Sequence, residues 1–303
     1  MPLLYNPNIL RQSHLQPQQF QPPRLNYYHG LRLIAEGGTA RVYWGVDRRS
    51  GYPVAIKELR TRHITNPTVR DNFRVMETQL YLYANHPNIP HLVDFIDNGQ
   101  QMFIVMDYID GISLEQYIYH VCGLMPEDRA LPIFLKVLDT IGCLHRLYIP
   151  HLNIFDGVLH LDIKSNNVMV LPDGQIKIID LGIASRMSNT TNSGYGTPAY
   201  MPPEQSGRGV CGKYTDIFAL GIMLFEMLTS RLPFSGHTVE EVRNRIANDP
   251  TPQMKQFYPR LSDELQSIVE RALLKNPANR YQSCQEFAND IVTYMQRHGI
   301  RPW

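Results

Sequence analysis

The chain has 303 residues, 43% of them hydrophobic, with 29 Lys and Arg against 28 Asp and Glu for a formal charge of +1. That length and apolar content suffice for one large domain or two modest lobes around a cleft, and exclude a disordered chain. The balanced charge argues against a nucleic-acid polyanion or an acidic lipid surface as partner, and is silent on small anions.

Cys122, Cys143, Cys211 and Cys284 lie far apart with no CxxC pair. This is a poor framework for zinc or disulfides and an ordinary one for a reducing compartment. No run reaches the roughly 18 consecutive apolar residues of a membrane helix, and the first residues lack a basic stretch followed by an apolar one. The expectation is a soluble, cytoplasmic chain without a membrane span.

Residues 1–27 are rich in Gln, Pro and Asn, a composition that buries little and reads as a tail. From Tyr28 the pattern alternates through LRLIAEGG, ARVYWGVD and YPVAIKELR, three consecutive antiparallel strands bounded by turn residues. A helix is predicted over about 68–84. Two more strands, HLVDFID and QMFIVMDYI, are joined at Asn98 and Gly99.

After Gly111 the reading is mainly helical, ending in SCQEFANDIVTYMQ, where Ser283 and Glu286 form a predicted capping box. Only VLHLDI, NVMVLP and QIKIID interrupt the helices as short strands.

Polar residues stand out at the strand ends. Lys57 closes the apolar strand VAIK, where an ammonium is costly to bury without an anion. Glu77 on the following helix is the acid best placed to face it. Asp162, Lys164 and Asn167 cluster in VLHLDIKSNNVMV, and Asp180 ends another apolar strand eighteen positions after Asp162. Two carboxylates and a carboxamide at strand ends suit a hard cation that leaves room for phosphates. Small residues from Ala35 to Ala40 form a turn where backbone N–H groups can approach a polyphosphate. Taken singly, each of these features has a bland reading: a snorkelling lysine, a solvated helix acid, a plain hairpin.

In order and spacing, however, glycine turn, VAIK, helix Glu, HxDxKxxN and DxG together resemble the protein-kinase motif set. The chain is similar to the catalytic domain of bacterial Hanks-type (eukaryotic-like) Ser/Thr protein kinases from about residue 28 to 295, including HPNI, VMDYIDG, GTPAYMPPE, DIFALG, LPF and KNPANRY. The resemblance implies an α+β bilobal fold. It has an antiparallel N-terminal β lobe with one helix (about 28–106), a hinge (107–111) and a larger, mainly helical C-terminal lobe (about 112–298) ahead of a short tail (299–303).

It also implies ATP and Mg2+ as cofactors, with Mn2+ as a substitute, and a protein Ser/Thr hydroxyl as acceptor. Ile34, Ala35, Gly37, Gly38, Thr39 and Ala40 would cover the phosphates, and Lys57, held by Glu77, would bind them. Val42, Ala55 and Met169 would sandwich the adenine against the hinge backbone at Asp107 and Ile109, with Met106 behind it. Asp162 would orient the acceptor hydroxyl and take its proton, Lys164 would stabilise the transferring phosphoryl group, and Asn167 with Asp180 would hold the metal. Glu204 is expected to pair with Arg280, and Asp216 to anchor the catalytic-loop backbone.

Five departures qualify the resemblance. Leu161 replaces the arginine that would pair with a phosphorylated activation segment. The expectation is activity without phosphorylation there, although Ser188, Thr190, Thr191 and Ser193 offer sites. Ala35 replaces a glycine and would restrict the backbone. Leu181 and Pro202 replace the usual Phe and Ala at little cost. The stretch between His145 and His160 is about nine residues long beyond the pattern, a docking element or a tolerated loop. Two other readings stand beside the active kinase: a pseudokinase scaffold, and a small-molecule phosphotransferase, which would lack GTPAYMPPE and the late arginine. Homodimerisation through the β lobe, known for relatives, is left open.

Overall fold

The computed structural model describes residues 25–181, 185–186, 196–207 and 209–301. Most of the Gln/Pro-rich tail, and Ser188, Thr190, Thr191 and Ser193, lie outside the described residues. The chain divides into two compact units. One contains the described residues up to Pro67 together with Leu92–Tyr108. The other contains Thr68–His91 and the described residues from Ile109 onward.

The first unit is a five-stranded antiparallel sheet of β1 (Tyr28–Glu36), β2 (Ala40–Asp47), β3 (Pro53–Leu59), β4 (Leu92–Asp97) and β5 (Met102–Asp107), in the order β1-β2-β3-β5-β4. Alternation decides its faces, because successive side chains of a strand point to opposite sides. Tyr28, Tyr43, Val54, Ile56, Phe103 and Val105 form the apolar cluster of one face, with Leu25, Leu31 and Ile96 against it. The register sets Val42 opposite Lys57, Lys57 opposite Ile104, and Ala55 opposite Met106, so these residues share the other face.

The second unit is mainly helical, and it includes the helix predicted after the third strand. That segment runs as Pro67–Asp71, a widened π turn at Asn72–Glu77 and Thr78–Tyr83. The unit's core is carried by Glu127–Leu144 and Lys213–Thr229; almost every residue of the latter is buried, as befits a helix apolar all round. Asp263–Ala272 and Cys284–Arg297 pack beside them. Ser283 caps the last helix by accepting from the Glu286 amide, but the Glu286 carboxylate accepts from Gln282 N at 2.8 Å, so the predicted reciprocal box is shifted by one residue.

Short strands frame the loop from His160 to Asn167. Ile112–Ser113, Val168–Val170 and Ile176–Ile178 form one small sheet, and Val158–Leu159 pairs with Ser185–Arg186. Gly111 lies so close to the Val170 carbonyl that a Cβ would meet its oxygen at 2.6 Å, which only glycine allows. The extra stretch before His160 is an ordered loop. Ile149 and Ile154 are buried and bridge to each other around the turn Pro150–Leu152, and Asn153 takes a left-handed φ of 54°.

Candidate active site

The loop from His160 to Asn167 is built around a buried carboxylate. Asp216, in the first turn of Lys213–Thr229, accepts from His160 N through Oδ2 and from Leu161 N through Oδ1, both at 2.8 Å. His145 Nε2 meets Oδ2 at 2.8 Å, and its Nδ1 faces the Cys284 thiol at 3.7 Å. Burial pushes the Asp216 carboxyl upward, but the hydrogen bond from His145 and the backbone donors outweigh it and leave the group below the ordinary aspartate range.

Anchoring at these two amides bends the loop into an uncommon conformation. Leu161 has φ 65°, a left-handed value that costs an L-residue roughly 1–2 kcal/mol. Its side chain packs with Leu159 and Cys211, and its carbonyl accepts from Gln205 Nε2 at 2.7 Å. Where the resemblance would put a phosphate-binding guanidinium, this chain has an apolar cluster and a carboxamide.

Beyond Leu161 the polar groups converge. Asp162 Oδ2 accepts from Lys164 Nζ at 2.8 Å, Asp162 Oδ1 accepts from the Thr197 hydroxyl at 2.7 Å, and Lys164 Nζ also donates to Thr197 Oγ1 at 3.0 Å. Asn167 Nδ2 donates to the Asp162 carbonyl at 3.1 Å, which assigns its amide nitrogen to the protein and leaves Oδ1 for another partner. The Asn167 carbonyl accepts from Ile179 N at 3.0 Å, placing Asp180 one residue from that junction. Asn167 and Asp180 carry hard oxygen donors, few in number, a chemistry that fits a divalent metal.

In the sheet unit, Val42, Ala55, Lys57 and Met106 lie on one face, with Lys57 buried. Asp107 pairs with Val54, and Tyr108 N donates to Pro53 O at 3.4 Å. Ile34 is exposed on β1, and Ala35 is paired with Val42 just after a register shift between Leu33 and Ala35, without a positive φ. The turn closes by Gly37 N donating to Ala40 O at 2.8 Å, and neither Gly37 nor Gly38 needs a left-handed φ. Thr39 and Ala40 complete it. Glu77 is buried at the end of the π turn, Met169 lies in Val168–Val170, and Ile109 accepts from Gly111 N at 3.1 Å; these three belong to the helical unit.

Sequence reasoning missed several groups. Arg60 Nη1 donates to the Gly37 carbonyl at 2.9 Å, and Arg62 and His63 hold the Gly38 carbonyl. Arg41 and Arg60 pair with Glu36 at 3.0 and 3.3 Å, so one carboxylate offsets part of the positive charge that these arginines and Arg62 bring to the glycine turn. The run LRTRH after VAIK was the available signal. Gln205 and the Tyr81 hydroxyl gave none, since their partners are distant in sequence.

The activation-side link has the expected partners: Arg280, fully buried, pairs with Glu204 through Nη1 at 2.6 Å and Nη2 at 3.0 Å, and also donates to three backbone carbonyls. Tyr200 and Tyr119 both donate to Glu226, whose carboxyl burial pushes upward. Among the described residues no helix is long and apolar enough to cross a membrane.

Comparison with known proteins agrees with this geometry. Residues 28–292 match the family model described as protein kinase domain. The chain is 34% identical over 270 residues to serine/threonine-protein kinase PrkC of Bacillus subtilis, covering 88% of this chain and 40% of that protein. It is 32% identical over 271 residues to probable serine/threonine-protein kinase PknB of Lactococcus lactis, covering 88% of this chain and 42% of that protein. It is 31% identical over 282 residues to serine/threonine-protein kinase PknB of Mycobacterium leprae, covering 89% of this chain and 43% of that protein. The chain thus spans well under half the length of these relatives. With residues 28–292 matched and the catalytic-loop geometry in place, the chain belongs to the protein kinase domain family.

Proposed function

We propose that the chain is an ATP-dependent Ser/Thr protein kinase that transfers the γ-phosphoryl group to protein hydroxyls and phosphorylates itself. The observation that carries this is the closed arrangement of Asp162, Lys164 and the Thr197 hydroxyl on a loop pinned by Asp216. Thr197 sits 2.7 Å from Asp162 Oδ1, which supports a carboxylate able to receive an aliphatic alcohol. In this reading Asp162 orients the acceptor hydroxyl and takes its proton, and Lys164 balances charge on the transferring group.

In the sheet unit, this reading gives Lys57 and the basic turn with Arg60 and Arg62 the ATP phosphates, and Val42, Ala55, Met106 and the Asp107 backbone the adenine; Glu77, Met169 and the Ile109 backbone, in the helical unit, keep the roles the family resemblance implies. Asn167 and Asp180 would hold Mg2+, or Mn2+ in its place, which supplies charge neutralisation to the phosphates when bound. Positioning of an in-line hydroxyl is then the main work left to the protein.

A reading of activity independent of activation-segment phosphorylation is supported by Leu161, whose carbonyl accepts from Gln205 and whose side chain lies in an apolar cluster. Alanine at Ser188, Thr190, Thr191 and Ser193 together should leave most of the activity, and near-complete loss would sink this part of the reading. The four free cysteines support a reducing, cytoplasmic setting.

The test is intact mass of the purified chain with Mg-ATP, for wild type and Asp162→Asn, with a Ser/Thr peptide panel alongside. Wild type should gain phosphate and modify peptides, with Asp162→Asn slower by about 10²–10⁴. Equal or absent phosphate on both, despite stabilisation by ATP, would identify a nucleotide-binding scaffold instead.

A further inference from the structure

Tyr81 lies in Thr78–Tyr83, four residues beyond Glu77, and is buried at 4% exposure. Its hydroxyl donates to the Ile179 carbonyl at 2.7 Å, across 98 positions of sequence. An apolar side chain would fill such a slot equally well, so the hydroxyl calls for its own account. Ile179 follows the last paired residue of Ile176–Ile178, where ladder hydrogen bonds stop holding the backbone. Its amide is committed to the Asn167 carbonyl at 3.0 Å and its carbonyl to Tyr81.

The peptide bond is planar, so the Ile179 carbonyl and the Asp180 amide turn together. Holding the carbonyl restricts rotation of the plane that leads into Asp180 and then into the fully buried Leu181. We propose that the Tyr81 hydroxyl is a positioning group which, by gripping the Ile179 carbonyl, fixes the orientation of Asp180. The assignment of Asp180 to phosphate and metal chemistry rests on the kinase reading; the mechanical link does not.

The helix does not depend on this one bond for its place in the helical unit. The Tyr83 ring packs on His151 of the extra loop, with centroids 5.1 Å apart. Further along the same segment, Asn88 Nδ2 donates to Thr140 Oγ1 at 3.0 Å, the Asn88 carbonyl accepts from Ile178 N at 2.8 Å, and the Pro87 carbonyl accepts from Lys177 Nζ at 2.7 Å. Removing the hydroxyl alone should therefore free the peptide plane while the helix stays docked.

The experiment is amide hydrogen exchange of the full chain, read on peptides covering residues 176–181, for wild type, Tyr81→Phe, Tyr81→Met and His151→Ala. Both Tyr81 variants should exchange at least about fivefold faster across 179–181, with Glu127–Leu144 unchanged. His151→Ala, which keeps the hydroxyl, should match wild type at 179–181. In peptide phosphorylation, Tyr81→Phe should lower kcat about tenfold with the peptide KM unchanged, the signature of a misplaced group rather than lost binding. Wild-type exchange at 179–181 in both Tyr81 variants, or equal loosening in His151→Ala, would overturn the inference. A wild-type chain without phosphoryl transfer would defeat the kinase reading and leave the exchange result to decide this one.

Discussion

Gln205 and Leu161 are joined by a buried hydrogen bond, Nε2 to carbonyl at 2.7 Å, between the segment after GTPAYMPPE and the catalytic loop. Gly196 makes room for it. Its φ is 132°, and a Cβ there would meet Gln205 Nε2 at 2.9 Å and the Leu161 oxygen at 3.0 Å. Gln205→Ala leaves the carbonyl buried without that donor and should cost about 1–3 kcal/mol in urea unfolding. Gly196→Ala should cost a similar amount and lower kcat, since its methyl drives the two partners apart.

Restoring an arginine at Leu161 should not restore control by phosphorylation. Leu161 is 5% exposed, packed with Leu159 and Cys211, on backbone already in the left-handed region. A guanidinium placed there loses water without gaining an anion, and Leu161→Arg should lower stability by about 2–4 kcal/mol. A chemical melt, with and without phosphorylated activation segment, checks this; a variant as stable as wild type would show that the side chain escapes to solvent.

The Arg280 and Glu204 pair should behave as a buried unit. Arg280→Met strands Glu204, which keeps only Thr215 Oγ1 at 3.1 Å among its described donors, and should cost about 3–5 kcal/mol. The double change Arg280→Met with Glu204→Leu removes both desolvated charges and should recover more than half of that loss. A double-mutant cycle in urea reads the coupling directly.

Much of this architecture was legible in local pattern. Period-two alternation gave the five strands, because strand faces are local properties, but the strand ends differ from the expectation: Lys57 lies inside β3, which runs on to Leu59, and Asp162 and Asp180 lie beyond Val158–Leu159 and Ile176–Ile178. Ala35 takes no positive φ in its strand, which no single residue type reveals. The π turns at Asn72–Glu77 and Tyr117–Cys122 were not visible, since a widened turn keeps helical periodicity nearly intact. Nor was the grouping of the Glu77 helix with the helical unit, which is made by partners such as Ile179 and His151, about 70–100 positions away.

Lys275 offers a pH test. Its ammonium lies over the Phe234 ring at 4.0 Å with no hydrogen-bond partner among the described residues, and burial pulls its pKa down to about 8, against the attraction of Asp249. Below pH 8 both folded and unfolded chains carry the proton, and the cost of burying it is felt in full. Between pH 8 and the ordinary lysine value of about 10.4 the unfolded chain binds more protons, so stability rises with pH. Lys275→Met should therefore exceed wild type in urea midpoint at pH 7, with the gap narrowing by pH 10. A constant gap would mean that the Phe234 face offsets the burial.

The grip of Tyr81 on Ile179 also has a consequence for how the chain is made. The ribosome delivers Tyr81 98 residues before its acceptor. At roughly 5–20 residues per second the helix Thr78–Tyr83 waits about 5–20 s for the residue that accepts its hydrogen bond. During that interval the sheet unit can already close, because its last strand ends at Asp107. The nascent chain should thus hold a finished β sheet before the Tyr81 hydroxyl meets its acceptor.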